Sequence, residues 1–469
     1  MAEQIEFGTD GWRAVIAREF TVENVARVAQ ATADWLKAKP LPQRAVVGHD
    51  NRFAGELFAD TVARVFLLNG IEVHLAEGPV STPMISLATK ELNCGIGVII
   101  TASHNPPEYN GFKLKGAHGG PLLEADVKAV EALISASAPA GFADADLSAA
   151  KSKGQLHTTN LMAMYIGKVE TAFDLDLIRR SGLEFAYDAM YGSGAQLMRR
   201  LFPDITFLHA ERNPLFDGIP PEPVLRNLGA FQEVIKLSGD LDCGLATDGD
   251  ADRIALFDGE GNYIDSHHVL MLLIHYLAGT KGWKGMVGMG FSSSVKVKRL
   301  CEHYNIPYVE VMIGFKHLCG VMLEHDVLVG GEESGGIAVK GHIPERDGVW
   351  NGMVIWEMMA RSGKSLRQLI EEMYTITGPF AFERIDLNIP EGKKNEVVEN
   401  CKAGRYTAFN GRKVQRVETM DGYKYWLSDH EWVMVRPSGT EPVLRTYAEA
   451  ATTAEAFAIL KDCHTELGV

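Results

Sequence analysis

Cysteine is scarce in this 469-residue chain, and its six copies, Cys94, Cys243, Cys301, Cys319, Cys401 and Cys463, are scattered with no C-x-x-C pair. That excludes a zinc ribbon and a disulfide framework, and a reducing compartment fits best. Long apolar runs are missing as well: the most apolar window, 269–278, is short and broken by His275, so no segment is expected to span a bilayer. Positive charge is in deficit. The 46 Lys and Arg against 61 Asp and Glu give a formal net charge of −15, which repels a polyanion. Neither nucleic acid nor a membrane is therefore expected as a partner. The N-terminal MAEQIEFGTDGW has early acidic residues and no apolar stretch behind a basic start, so it does not read as a signal peptide, and a cytoplasmic location is expected.

What remains is an ordinary globular composition, 46% hydrophobic and 23% charged, on a chain long enough for about three domains at roughly 150 residues each. Residues 45–48, 53–68 and 71–76 read as strand, helix and strand, and a helix over 82–92 precedes the apolar run 95–100. This run stops at a polar loop, T-A-S-H-N-P-P-E-Y-N-G. The rhythm returns twice. Segments 183–188, 195–202, 205–209 and 243–246 lead to T-D-G-D-A-D-R, and segments 286–290, 295–303, 308–312, 315–325 and 327–329 lead to G-G-E-E-S-G-G. Open α/β sheets place ligands at such strand ends. From about residue 378 the pattern alternates, with strands at 432–435 and 444–448 and a closing helix over 453–466. The expected fold is thus α/β in four domains, 1–148, 149–257, 258–376 and 377–469: three similar mixed-sheet domains and a smaller C-terminal α+β domain around a central cleft.

Each loop suggests a chemistry beside a plainer reading. Pro106 and Pro107 forbid helix after Ser103 and leave its hydroxyl beyond a strand end. The G-x-S-x-G elbow is absent, since Thr101 and Asn105 stand where glycines are needed, and a turn that bonds only to itself is the plain alternative. Asn110-Gly111 reads as a hairpin signal, with Lys113 and Lys115 behind it on one strand face, where lysines are most often a solvated edge. Asp248, Asp250 and Asp252 repel one another unless a hard divalent cation neutralises them. An EF-hand is excluded by Arg253 and Gly259 at its sixth and twelfth positions, and the alternative is a solvated acidic turn. Glu332, Glu333 and Ser334 among glycines could read sugar hydroxyls. Arg436-Pro-Ser438-Gly439-Thr440, with Arg445 beyond, suits a phosphate dianion or is an ordinary turn. Gly363-Lys-Ser and Gly192-Ser-Gly194 lack the glycines of a P-loop and a dinucleotide fingerprint, so neither ATP nor NAD is expected. His267, His268 and the apolar 271–274 run read as a core helix near a domain join.

Taken in order, these loops closely resemble the α-D-phosphohexomutase family, a likeness that also covers F-G-T-D-G-W-R at the N-terminus and D-G-I-P-P-E-P before the aspartates. The resemblance implies that Ser103 is a phosphoserine in the resting enzyme and that Ser103, Asp248, Asp250 and Asp252 hold one Mg²⁺. It puts Arg13, His104, Asn105, Lys113 and Arg253 around the same site, with Lys113 or His104 managing the proton of the attacking hydroxyl. For lysine that role needs a pKa well below its usual value. Glu332 and Ser334 would contact ring hydroxyls; Arg436, Ser438, Gly439, Thr440 and Arg445 would hold the distant phosphate, with Lys316 and Lys296 as further cleft residues. The implied reaction interconverts hexose 1-phosphate and hexose 6-phosphate through a hexose 1,6-bisphosphate, glucose 1,6-bisphosphate serving as activator and intermediate. Glu333 matches glucose-type members and Gly336 replaces the His of mannose/glucose and glucosamine types, so glucose phosphates are favoured over mannose or glucosamine phosphates. A metal-dependent phosphatase and a non-catalytic sugar-phosphate sensor are the rival classes. Sugar phosphates are the only expected partners, to a monomer or weak homodimer.

Overall fold

The computed structural model describes residues 4–437 and 443–469. Four main sheets follow one another along the chain. The first runs in the order Trp12–Val15, Tyr109–Gly116, Ile96–Ile100, Arg44–His49, Glu72–Ala76 and Leu156–Thr159. The second runs Tyr263–Ile264, Ile254–Asp258, Cys243–Thr247, Phe185–Asp188, Thr206–Leu208, and the third Tyr308–Val311, Met286–Gly290, Val327–Gly331, Ile337–Val339. The fourth is antiparallel throughout, from Ala381–Asn388 through Val443–Ala450, Trp432–Pro437 and Tyr423–Trp426 to Arg416–Glu418. This is the expected four-part α/β architecture. Two strands fall across the expected borders: Leu156–Thr159 pairs with the first sheet and Tyr263–Ile264 with the second. Hydrogen bonding to an earlier strand, which composition does not reveal, claims both segments.

The first three sheets share one device. Ile96–Ile100, Cys243–Thr247 and Val327–Gly331 each run parallel to one neighbour, and each is followed by a polar loop and an antiparallel return strand, Tyr109–Gly116, Ile254–Asp258 or Ile337–Val339. The parallel strands are buried along their whole length, which explains their continuous apolar sequences. A continuous apolar core joins the second and third units, from Leu161 and Phe185 to Met353 and Phe380. It contains the helix Ser266–Ile274, as its sequence implies, and buries all four residues 271–274. No helix among the described residues is long and apolar enough to cross a membrane.

Asn110-Gly111 makes no turn. Both residues lie inside Tyr109–Gly116, between Trp12–Val15 and Ile96–Ile100. Glycine is required there for close approach: a Cβ on Gly111 would come within 2.5 Å of the Thr101 carbonyl oxygen and 2.8 Å of that of Trp12. The strand is central, so Lys113 and Lys115 are fully buried and not a solvated edge.

Candidate active site

Ser103 stands on the turn beyond Ile96–Ile100 with φ of 52°, a left-handed conformation that costs a serine about 1–2 kcal/mol. Its N–H donates to Thr101 Oγ1 at 2.9 Å. Its Oγ donates to Asp248 Oδ2 at 2.6 Å, which joins the serine loop of the first unit to the aspartate loop of the second. The glycine-rich loop of the third unit joins them through a β-bridge between Arg253 and Gly336. Three loops far apart in sequence thus form one site.

Asp248, Asp250 and Asp252 are fully buried, and each offers a carboxylate oxygen within 4.8 Å of the others. Burial, then the charges of Asp250 and Asp252, push the Asp248 carboxyl well above the usual range. Asp250 Oδ1 and Asp252 Oδ1 have no hydrogen-bond partner among the described residues. Crowded carboxylates with unused buried oxygens fit a hard divalent cation, and a solvated acidic turn is ruled out by their burial. The helix Thr82–Glu91 braces this loop: the Thr82 N–H donates to the Asp250 carbonyl and Thr82 Oγ1 to Asp250 Oδ2 at 2.5 Å.

Lys113 Nζ lies 2.7 Å from Asp250 Oδ2, 2.8 Å from Asp10 Oδ2 and 3.1 Å from Asp252 Oδ2. Burial opposes its charge, but these three carboxylates outweigh burial and hold the ammonium above its ordinary pKa. The lysine alternative for the proton required a depressed pKa, and the surroundings of Lys113 act the other way: anions lie closer to Nζ than cations do. His104 behaves oppositely. Burial, then Arg253, Arg13, Lys113 and Arg52, keep its imidazole well below the usual range and therefore neutral. His104 Nδ1 is 3.3 Å from Ser103 Oγ and Nε2 is 3.4 Å from Arg253 Nη2. A guanidinium can only donate, so Nε2 accepts and the ring proton sits on Nδ1. Arg13 donates to Asn105 Oδ1 at 2.7 Å, and Arg253 pairs with Glu222 at 3.1 Å.

Glu332 Oε1 accepts from the Gly314 N–H at 2.6 Å, and burial, then neighbouring Glu333, push its carboxyl up to about 7. Ser334 is partly exposed on the same loop, and Ser292 Oγ donates to Glu333 Oε2 at 2.6 Å. Burial works against the charge of Arg436, but Asp421 at 2.9 Å raises its pKa. Arg445 Nε is 3.8 Å from Asp386 Oδ2, while Ser438, Gly439 and Thr440 lie outside the described residues. Lys316 pairs with Glu124 at 3.4 Å and lines a cavity of about 410 Å³ between residues 123–124 and 311–320. Lys296 departs from expectation: it is buried in the helix Val295–His303 and donates at 3.2 Å to the carbonyl of Thr377, the last residue of the helix Leu366–Thr377.

Asp10, Arg52, Glu345 and Arg346 stand in none of the loops that the sequence singles out. Arg346 Nη2 is 2.7 Å from Asp252 Oδ2 and also bonds Asp10. Glu345 accepts from Lys115 Nζ at 2.6 Å and Ser86 Oγ at 2.9 Å. Burial opposes the charge of Asp10, yet Arg346, Lys113 and Lys115 hold its carboxyl well below the usual range. Asp10 was within sight as the fourth letter of F-G-T-D-G-W-R; Arg346 carries no local signal.

Models of the phosphoglucomutase/phosphomannomutase α/β/α domains I, II and III match residues 4–140, 163–261 and 265–376, and that of the C-terminal domain matches 391–463. A phosphoglucomutase/phosphomannomutase of Thermococcus kodakarensis is 30% identical over 99% of this chain and 97% of its own. The chain belongs to the phosphoglucomutase/phosphomannomutase family. As a phosphohexomutase it is an intramolecular phosphotransferase. A phosphoglucosamine mutase of Carboxydothermus hydrogenoformans is 27% identical, with 95% of each chain covered. The crystal structure of a Thermus thermophilus protein described as a phosphomannomutase is similar to this family member over all of both chains, with a TM-score of 0.86 and 32% identity.

Proposed function

We propose that this phosphohexomutase interconverts glucose 1-phosphate and glucose 6-phosphate, with Ser103 as the phosphoryl carrier and glucose 1,6-bisphosphate as intermediate and activator. The observation that supports it is the Ser103 Oγ placed 2.6 Å from the aspartate cluster, on a turn surrounded by Arg13, His104, Lys113 and Arg253. Asp248, Asp250, Asp252 and the Ser103 oxygen would hold one Mg²⁺, which when bound neutralises charge on the phosphoryl group as it transfers. Arg13 and Arg253 add fixed cations that orient that group. His104 is neutral, with its Nδ1 proton facing the Ser103 oxygen, and it would take the proton of the sugar hydroxyl on Nε2 once the incoming phosphate draws Arg253 away from that nitrogen. Lys113 keeps its proton between Asp250 and Asp252, and those carboxylates are the ones a cation would claim.

Glu332 and Ser334 would contact ring hydroxyls, and the 436–440 loop with Arg445 would hold the non-reacting phosphate. The bisphosphate could then turn over between two fixed anchoring points. Support for glucose lies at Gly336, where a Cβ would come within 2.4 Å of Arg346 Cδ. The Arg346 stem fills the space that the histidine of the other types would need. The similarity to phosphoglucosamine mutases favours glucosamine phosphates as the second reading. We place the enzyme in the cytoplasm, acting on free sugar phosphates.

Turnover compared on glucose 1-phosphate, mannose 1-phosphate and glucosamine 1-phosphate tests substrate choice; a higher kcat/KM on either of the latter two overturns glucose. Ser103→Ala tests the carrier. Intact-mass measurement should show one phosphoryl group acquired from the bisphosphate by the wild type and none by the variant, and full mutase activity in the variant would end the proposal.

A further inference from the structure

Arg52 lies just beyond Arg44–His49, the strand paired directly with the serine strand, in register His49 to Ile100. It is fully buried. Nη1 donates to the carbonyl oxygens of Pro106 at 2.9 Å and Tyr109 at 3.0 Å, and Nη2 to those of Ser103 at 2.7 Å and Asn105 at 2.6 Å. All four terminal N–H groups of one guanidinium are therefore spent on the backbone of the serine turn. The turn needs them. Its prolines have no N–H, its backbone is irregular, and buried carbonyls without a donor are costly.

Two further contacts fix Arg52 itself. Asp50 Oδ2 is 3.5 Å from its Nε and also accepts from Thr101 Oγ1, the hydroxyl that receives the Ser103 N–H. On the other side the Phe216 ring covers the guanidinium, 4.9 Å from its central carbon. Phe216 directly precedes the D-G-I-P-P-E-P stretch, whose Glu222 pairs with Arg253 on the far side of His104. That stretch, so far without a role, thus braces two arginines around the serine turn.

We propose that Arg52, roofed by Phe216, is the positioning residue that holds the Ser103 turn in its left-handed conformation, keeping Oγ aimed at the aspartates as the phosphoryl group comes and goes. It rests on the reading of Ser103 as the carrier. A lysine at this position has one nitrogen and cannot span four carbonyls in a plane. Loosening the turn by about 1 Å should cost on the order of a hundredfold in rate, because the reacting atoms lose alignment.

The test uses the full chain as wild type, Arg52→Lys and Phe216→Leu, each with Mg²⁺ and the hexose 1,6-bisphosphate. Melting temperature, kcat and KM separately, and the rate at which phosphorylated Ser103 loses its phosphate to water, followed by intact mass, are measured. For Arg52→Lys we expect a cooperative melt, kcat lower by about a hundredfold, KM within a few-fold of wild type, and a changed phosphoserine lifetime. Phe216→Leu leaves every hydrogen bond of Arg52 in place and should show the same pattern more weakly. A folded Arg52→Lys with kcat within threefold of wild type overturns the proposal. So does an unfolded Arg52→Lys alongside an unchanged Phe216→Leu, which would make Arg52 a folding residue only. A wild-type chain that acquires no phosphate fails at the carrier itself and is distinguished by that measurement.

Discussion

The ammonium of Lys113 sits 2.7 Å from the carboxylate of Asp250, inside the cluster that a divalent cation would occupy. Lysine and metal therefore draw on the charge of the same carboxylates, Nζ lying on Asp250 Oδ2 and Asp252 Oδ2 while their Oδ1 atoms have no partner among the described residues. Removing the lysine leaves buried anions unpaired. Lys113→Met should lower the stability of the metal-free protein by about 3–5 kcal/mol in urea unfolding. Mg²⁺ should then stabilise the variant more than it stabilises the wild type. Equal Mg²⁺ responses in the two proteins would contradict the competition.

Glu332 supplies a pH test. Its folded pKa of about 7 lies above the ordinary carboxylate value, so the native state binds more protons than the unfolded chain between roughly pH 4.5 and 7. Stability attributable to this group should therefore rise as pH falls through that window, by on the order of 3 kcal/mol in all. Glu332→Gln, which cannot ionise, should be the more stable protein at pH 8 and lose the advantage near pH 4.5. Parallel stability curves for the two proteins would show that Glu332 is not the titrating group.

Gly336→His is expected to displace Arg346 rather than to import the specificity of other family types. Overpacking of this kind costs about 1–3 kcal/mol. Activity on all three sugar phosphates should fall together, and a gain on mannose or glucosamine phosphates with unchanged stability would refute the steric argument.

Glu449 ties the fourth unit to the third. Its Oε1 accepts from Ser294 Oγ at 2.8 Å, and Oε2 accepts from the Val295 N–H at 3.1 Å and Trp432 Nε1 at 2.8 Å. The helix Val295–His303 begins there, which favours a negative charge. Glu449→Ala should cost about 2–4 kcal/mol through donors left unsatisfied. Limited proteolysis near Gly378 should accelerate, and an unchanged cleavage rate would place the docking strength elsewhere.

The positions of the three polar loops were legible because each interrupts a buried parallel strand, where apolar sequence gives way abruptly to Ser103, Asp248 or Glu332. Lys113 was legible as a site residue but not in its charge state. Its neighbours Asp10, Asp250 and Asp252 come from two other segments, and only the sheet order brings them to Nζ. Arg52 and Arg346 left no trace in the sequence pattern for the same reason. A buried arginine is recognised by the carbonyls and carboxylates that fold around it. The Asn110-Gly111 pair misled because glycine serves a hairpin and a crowded strand crossing equally well.

Arg346 reaches back 336 positions to Asp10 and also holds Asp252. A ribosome making this protein must therefore complete almost three quarters of it before those two carboxylates meet their common guanidinium. The first two units emerge with an acid cluster that Lys113 balances in part and Arg346 of the third completes, so their full stability is a property of the nearly finished polypeptide.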